Sequence, residues 1–223
     1  MSLILNIDTA VQSASVCLSE NNDLIGLKIN PSQKDHASWL HIAIEELLKE
    51  NAIDLQKLAA IAVSAGPGSY TGLRVGMASA KGLCYVLNIP LITVDTLKMM
   101  ANAAIVENTD FLCPMIDARR MEVFTALFDK SLNAIMPDSN IILNESSFKD
   151  ILVNHTISFF GNGSFKFKTL NSSQNARFLE INPTAEHMVH LSYELWKNCQ
   201  FADIAYSEPN YGKEFYTPSK QSS

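Results

Sequence analysis

The sequence predicts a mixed α/β protein, on three observations. An apolar run from Leu58 to Ser64 passes through a glycine-rich corner, Ala65-Gly66-Pro67-Gly68-Ser69-Tyr70-Thr71-Gly72, into a second apolar segment of helical length, Leu73 to Leu87. Strand-like and helix-like apolar runs alternate along the first half of the chain. With 223 residues, 47% of them hydrophobic, the chain can bury a sizeable core as one large domain or two small ones.

Leu3 to Asp8 and Ser13 to Leu18 read as two strands joined by a polar turn, and Leu24 to Ile29 as a third, an antiparallel start. Asp35 can cap a helix running to about Glu50, whose Leu40, Ile44, Leu47 and Leu48 form a core face at helical spacing. Trp39 and Ile42 fall off that stripe and make a candidate contact surface. After the strand Leu58 to Ser64, Gly66 and Gly68 permit φ values closed to other residues, Pro67 fixes its own, and Ser69 or Thr71 can cap the next helix. On that helix Gly72, Gly76 and Ala80 recur every fourth residue, a ridge stripped of side chains along which another element can approach closely. Each glycine lowers helix stability by about 1 kcal/mol relative to alanine, so the ridge needs a compensating contact, with the protein's own sheet or helices or with another molecule. A short strand Pro90 to Val94 and a helix Thr96 to Val106 complete the order βββαβαβα.

Asp110 to Cys113 reads as a break before Pro114, and Met115 to Asp117 and Glu122 to Asp129 bracket Ala118-Arg119-Arg120-Met121 as a hairpin. Beyond it the pattern thins. Ile141 to Leu143 and Ile157 to Phe160 read as strands, Glu145 to Val153 as a short helix, Gly161-Asn162-Gly163 as a turn, and Ala185 to Cys199 as a longer helix after Pro183. Thr217 to Ser223 is expected to be loosely ordered.

Composition excludes several function classes. A formal charge of −6 opposes autonomous nucleic-acid binding, so any RNA contact would come through a partner or a local patch. Cys17, Cys84, Cys113 and Cys199 form no C-x-x-C pair and read as reduced core thiols, with neither a disulfide nor a zinc site. No apolar run reaches the roughly 20 residues that cross a bilayer, and Met1 leads into a strand with no basic leader, so a soluble cytoplasmic protein off the membrane is expected. Gly66-x-Gly68-x-x-x-Gly72 is one residue too long for a dinucleotide fingerprint, and no Lys-Ser/Thr follows to make a P-loop. Neither Ser69 nor Ser164 sits in a nucleophile elbow, no thiolate is activated and no H-E-x-x-H occurs. His36 and His41 are five apart on a helix and cannot easily share an ion; His187 and His190 are three apart with no third ligand, so they read as surface histidines and no metal is expected.

Asp8-Thr9-Ala10 followed by Ser13-Ala14-Ser15-Val16, three strands before a helix, the corner from Gly66 to Arg74 and the hairpin Asp117-Ala118-Arg119-Arg120-Met121-Glu122-Val123 together resemble the TsaB (YeaZ) family, most strongly over residues 1 to 130. The resemblance implies the actin-like, hexokinase-like (ASKHA) ATPase fold, α/β with two lobes that each hold a mixed sheet and helices. The lobes would be residues 1–108 and a smaller, more divergent 109–223. It implies a non-catalytic scaffold that binds a TsaD-like paralogue carrying the transferase site. A TsaE-like ATPase joins the assembly, which threonylcarbamoylates adenosine in transfer RNA. Homodimers are expected when the chain is alone, and tRNA is met only through the complex.

The family pairs helix against helix through the N-terminal lobe, which assigns the interface to Trp39, Tyr70, Leu73, Arg74, Gly76 and Ala80. Asp8, Thr9, Gly66, Gly68, Gly161 and Gly163 would line the remains of a nucleotide cleft between the lobes. No cofactor is expected, with ATP or ADP and magnesium only in the assembled complex. Where the family ends on a Tyr-Leu-Arg-like segment, this chain has Tyr211-Gly212-Lys213. The alternative is an active actin-like ATPase or phosphotransferase using Asp8 and Asp117 around a metal-bound nucleotide; a free-standing peptidase is a third reading.

Overall fold

The computed structural model describes residues 2–31 and 35–212, so the expectation for Thr217 to Ser223 lies outside the described residues. Backbone ladders pair β1 (Leu3–Asp8), β2 (Ala14–Glu20) and β3 (Asp23–Asn30) as an antiparallel meander. β4 (Ala60–Ser64) then lies parallel to β1, and β5 (Leu91–Val94) parallel to β4, giving the order β3-β2-β1-β4-β5. The second half repeats that arrangement. β6 (Phe111–Asp117), β7 (Glu122–Phe128) and β8 (Ala134–Ile142) form the meander, and β9 (Ile157–Phe160) and β10 (Ala176–Leu179) add the two parallel strands, in the order β10-β9-β6-β7-β8.

Helices cover both faces of both sheets. α1 (His36–Glu50) and α2 (Tyr70–Leu87) bury Leu40, Ile44, Leu47, Met77 and Cys84 against Leu5, Ile7, Ile61 and Val63 on the outer face of the first sheet. Its inner face carries α3 (Thr96–Ala103) and α6 (Val189–Lys197), and these share one core with Leu112, Ile116, Phe124 and Phe128 of the second sheet. The outer face of the second sheet is closed by α4 (Lys149–Leu152) and α5 (Ser164–Lys168) over a phenylalanine cluster, Phe148, Phe159, Phe167 and Phe178. Among the described residues no helix is long and apolar enough to cross a membrane.

Several sequence expectations need correction. Pro114 does not break the chain but lies inside β6, where Thr125 Oγ1 donates to its carbonyl at 2.7 Å. β8 extends well before Ile141, because an edge strand exposing Ile135, Pro137 and Asp138 needs no continuous apolar face. β10 and α5 had no clear signature. The fourth and third helices are shorter than expected, and the final helix begins as a 3-10 turn, Ala185–Met188. Asp35 occupies the N-cap position of α1 but its side chain makes no cap bond. Cys17, Cys84 and Cys113 are buried thiols, whereas Cys199 is exposed beyond α6. The residues after α6 return to the first lobe: Ala202 N donates to Leu91 O on the β5 edge, Lys81 holds the carbonyls of Ala205 and Ser207, and Asn210 N donates to Ala65 O.

The bare ridge of α2 faces inward. A Cβ on Gly72 would run into Thr9 O and one on Gly76 into Thr9 Oγ1, while Leu73 and Ala80 are fully buried. Gly82, on the opposite side of the same helix, faces open space. The same substitution therefore has opposite signs at two positions. Gly76→Ala should lose about 1–3 kcal/mol from overpacking, and Gly82→Ala should gain up to about 1 kcal/mol from helix propensity, both read from urea midpoints at constant m.

Candidate functional site

The glycine corner exists to seat α2 on the β1–β2 turn. Ser69 N donates to Ala10 O at 2.8 Å, Thr9 Oγ1 to Gly72 O at 2.7 Å, and Gly68 leaves no room for a Cβ beside Ala10. Of the two candidate caps Ser69 is used, its hydroxyl accepting from Gly72 N at 3.3 Å. On its other side the corner is tied to α3, with Gly66 N donating to Thr96 Oγ1 and Thr96 N to Gly66 O.

This seating shuts Asp8 away. Its carboxylate is fully buried; Oδ1 accepts from Ala10 N at 3.0 Å and Ser64 Oγ at 2.6 Å, and Oδ2 has no partner among the described residues. Desolvation pushes its pKa up to about 6 against the two hydrogen bonds. Asp95, which caps α3 through Lys98 N, is held well above the usual carboxylate range by burial and then by Asp138 of β8. Asp117 ends β6 as Asp8 ends β1, yet it is solvent-facing. Partial burial pulls its pKa upward, but Lys166 Nζ at 2.7 Å and Arg119 N at 2.6 Å outweigh this and hold it below the usual value.

Between the lobes lies a cleft of about 600 Å³, walled by Ala10 to Ser13, Gly68, Ser69, Ile116, Asp117, Gly161, Asn162, Phe165 and the segment Leu179 to Pro183. Only Gly68 and Gly161 of the six expected cleft residues line it. Asp8 and Thr9 sit beneath the corner, Gly66 is buried within it against the Asn210 backbone, and Gly163 is buried against Val123 and the Ile116–Asp117 backbone. Among the described residues the ionisable side chains on the wall are Asp117 and Glu180, with no lysine or arginine. Such a surface repels a polyphosphate unless a cation accompanies it. Among the described residues no group of three His, Cys, Asp or Glu side chains is placed to hold a metal. His187 is partly buried and closes a capping box with Thr184, so it is not the surface histidine that its sequence context suggested.

The expected interface residues divide. Leu73, Gly76 and Ala80 are interior and cannot meet a partner, because their ridge is occupied by the protein's own sheet and turn. Trp39 is half-buried against the same core. Tyr70 and Arg74 are exposed, with the guanidinium 4.2 Å from the Tyr70 ring centroid and Nε donating to Tyr211 Oη at 3.0 Å. What the sequence reading missed is the outer row of the same helix. Ala78 and Gly82, again four apart, face solvent beside Tyr85 (80% exposed) and Val86 (78%), and Ile42 (58%) projects from α1, which is tied to α2 through His41 and Ser79. The signal was present as a second small-residue row two positions along; only packing tells the rows apart.

The family model for TsaD, tRNA N6-adenosine threonylcarbamoyltransferase, matches residues 26–212. A tRNA threonylcarbamoyladenosine biosynthesis protein TsaB from Bacillus subtilis is 34% identical over 144 residues, covering 63% of this chain and 62% of its own length, so the match spans less than two thirds of that relative. Among solved structures, an uncharacterized protein with similarity to peptidase YEAZ from Pseudomonas aeruginosa superposes with a TM-score of 0.85 at 22% identity, over 96% of this chain and 100% of that one. The ADPNP-bound activator of 2-hydroxyisocaproyl-CoA dehydratase from Clostridium difficile superposes at 0.52 with 10% identity, over 89% and 97%. These likenesses place the two-lobed architecture in the actin-like (ASKHA) fold class.

Burial of Asp8 has a measurable sign. A carboxyl whose folded pKa is raised is most favourable while protonated, so its contribution is full below the unfolded value and is lost as pH rises through about 6. The stability of the wild-type chain relative to Asp8→Asn should therefore fall by about 2 kcal/mol between pH 4 and pH 7, read from denaturation midpoints across that range.

Proposed function

We propose a partner-subunit role from a plain premise: the chain belongs to the TsaD family of tRNA N6-adenosine threonylcarbamoyltransferases. Within that family it acts as a non-catalytic scaffold in the TsaB manner. It docks a TsaD-type subunit that carries the transfer site and takes part in making threonylcarbamoyladenosine in tRNA. A TsaE-like ATPase joins the same assembly, tRNA is met through it, and the isolated chain pairs with a second copy.

The observation that carries this reading is the outward face of α1 and α2. Ile42, Tyr85 and Val86 are more than half exposed on two neighbouring helices, and on the second of these Ala78 and Gly82 form an exposed row with no large side chain to hold a partner helix away. Small residues four apart admit close approach along the common packing ridge, and large apolar groups around them supply the burial that drives association. The inactive reading is supported by the state of the cleft: among the described residues the one fully buried carboxylate lies behind the corner, and the open wall carries acidic groups without a cation. An active ATPase would instead show magnesium-dependent ATP turnover abolished by Asp8→Ala.

Co-expression with the organism's own TsaD-type paralogue tests the interface. Ala78→Arg and Tyr85→Glu should each abolish co-elution while leaving the melting temperature within about 2 °C of wild type, since neither side chain contributes to the buried core. Undiminished co-elution of both variants would remove this face from the assignment.

A further inference from the structure

Among the described residues most lysines and arginines are engaged. Lys28 pairs with Glu46 and Glu50, Lys49 with Glu45, Lys166 with Asp117 and Lys197 with Glu194. Arg74 donates to the Tyr211 hydroxyl, and Lys81, Lys130 and Arg177 donate to backbone carbonyls. Lys57, Lys98, Lys149 and Lys168 stand singly without such a side-chain partner among the described residues, and Arg119 and Arg120 lack one as a pair. The two arginines are adjacent, exposed at the tip between β6 and β7, and neither guanidinium has an ion-pair or hydrogen-bond partner among the described residues.

The backbone of the tip is as unusual as its charge. Arg119 and Arg120 have φ of 72° and 48°, two consecutive left-handed residues that carry a Cβ. Glycine or asparagine takes this conformation at lower cost, and hairpin tips with positive φ favour them. A local choice that conflicts with the fold is expected where a side chain serves something other than folding.

The surroundings favour an anion. Asp117, the nearest carboxylate, already receives Lys166 Nζ and Arg119 N on the same oxygen, and Glu122 at the base of β7 is within 3.5 Å of Asn140 Nδ2 and has a further partner. Lys166 in turn binds α5 to the tip, and α5 carries Phe165, 57% exposed on the cleft rim, with Lys168 three residues on along the same face. The tip thus offers two unengaged forks of N–H donors, with an apolar ring and a further lysine nearby, on a molecule whose net charge is −6. Guanidinium groups bind phosphate oxygens in pairs, and an unstacked base can lie on an exposed ring.

We infer that the Arg119–Arg120 tip is a phosphate contact for RNA, through which this subunit touches the tRNA of the assembly directly. The nature of the polyanion rests on the function proposed above; the anion-binding character of the tip rests on the unengaged arginines.

The test uses the full chain, alone and co-purified with its TsaD-type paralogue, and fluorescein-labelled in vitro transcribed tRNA followed by anisotropy over a salt series. Arg119→Gly/Arg120→Gly relieves the backbone and removes both charges together. The expected result is a raised melting temperature, unchanged co-elution with the paralogue, tRNA affinity lowered about tenfold, and a log–log salt slope reduced by about 1 to 2. Arg119→Lys/Arg120→Lys, which keeps the charge, should recover much of the affinity.

Equal tRNA affinity and salt slope for the wild type and the glycine variant would overturn the inference. Displacement of tRNA by a polyglutamate peptide at equivalent charge would assign the tip to acidic protein and overturn it as an RNA contact. Failure of the wild-type chain to co-elute with the paralogue would overturn the proposed function instead, and the tip would still be judged by the isolated chain, where the same loss of affinity and slope is expected.

Discussion

The seating of α2 on the β1–β2 turn is the constraint from which the rest of the first lobe follows. Three positions without side chains, Gly68, Gly72 and Gly76, let the corner and the first two helical turns press directly on Thr9 and Ala10, and the Thr9 hydroxyl closes the contact by donating to Gly72 O. A Cβ at any of the three would overlap the Ala10 carbonyl, the Thr9 carbonyl or the Thr9 hydroxyl, so a larger residue there forces its neighbours to shift at a cost in stability. The same contact sets the floor of the cleft, buries Asp8 beneath it with Ser64 as its donor, and rotates α2 so that Ala78, Gly82, Tyr85 and Val86 point outward.

The two lobes are variations on one topology with different outcomes at matching positions. Each sheet is an antiparallel meander followed by two parallel strands, and in each the fourth strand runs into a glycine turn and then a helix beside the first hairpin. In the first lobe the carboxylate ending the first strand is sealed in and raised in pKa. In the second, Asp117 is open to solvent and neutralised by Lys166. The cleft between them keeps the outline of a ligand site but presents acidic groups, and a phosphate-bearing ligand there would meet repulsion from Asp117 and Glu180 with no lining cation among the described residues to offset it. Charge suited to phosphate lies instead at the hairpin tip beside the cleft.

The order of elements in the first lobe was legible because each signal was local: short, mostly apolar runs bounded by polar turns for β1 and β2, a 3.6-residue stripe for α1, caps and glycines at the corner. The second lobe was harder to read. β8 is an edge strand with a largely polar sequence, β10 is four residues long, and Pro114 inside β6 mimics a break. Such elements are held by their neighbours in the sheet, and a chain read residue by residue does not display its neighbours.

The sequence by itself determined that α2 carries a bare ridge needing close contact, that Ser69 can cap it, and that Asp117 to Val123 turn back as a hairpin, since these depend on residue type and short spacing alone. Only the tertiary structure decided which of two small-residue rows on α2 is interior. Gly72, Gly76 and Ala80 lie against the chain's own turn and sheet, and Ala78 and Gly82 lie outside. Helical periodicity specifies which residues share a face, but the direction in which that face points is set by what else is packed there, and Thr9 and Val63 reach Gly76 only through the fold.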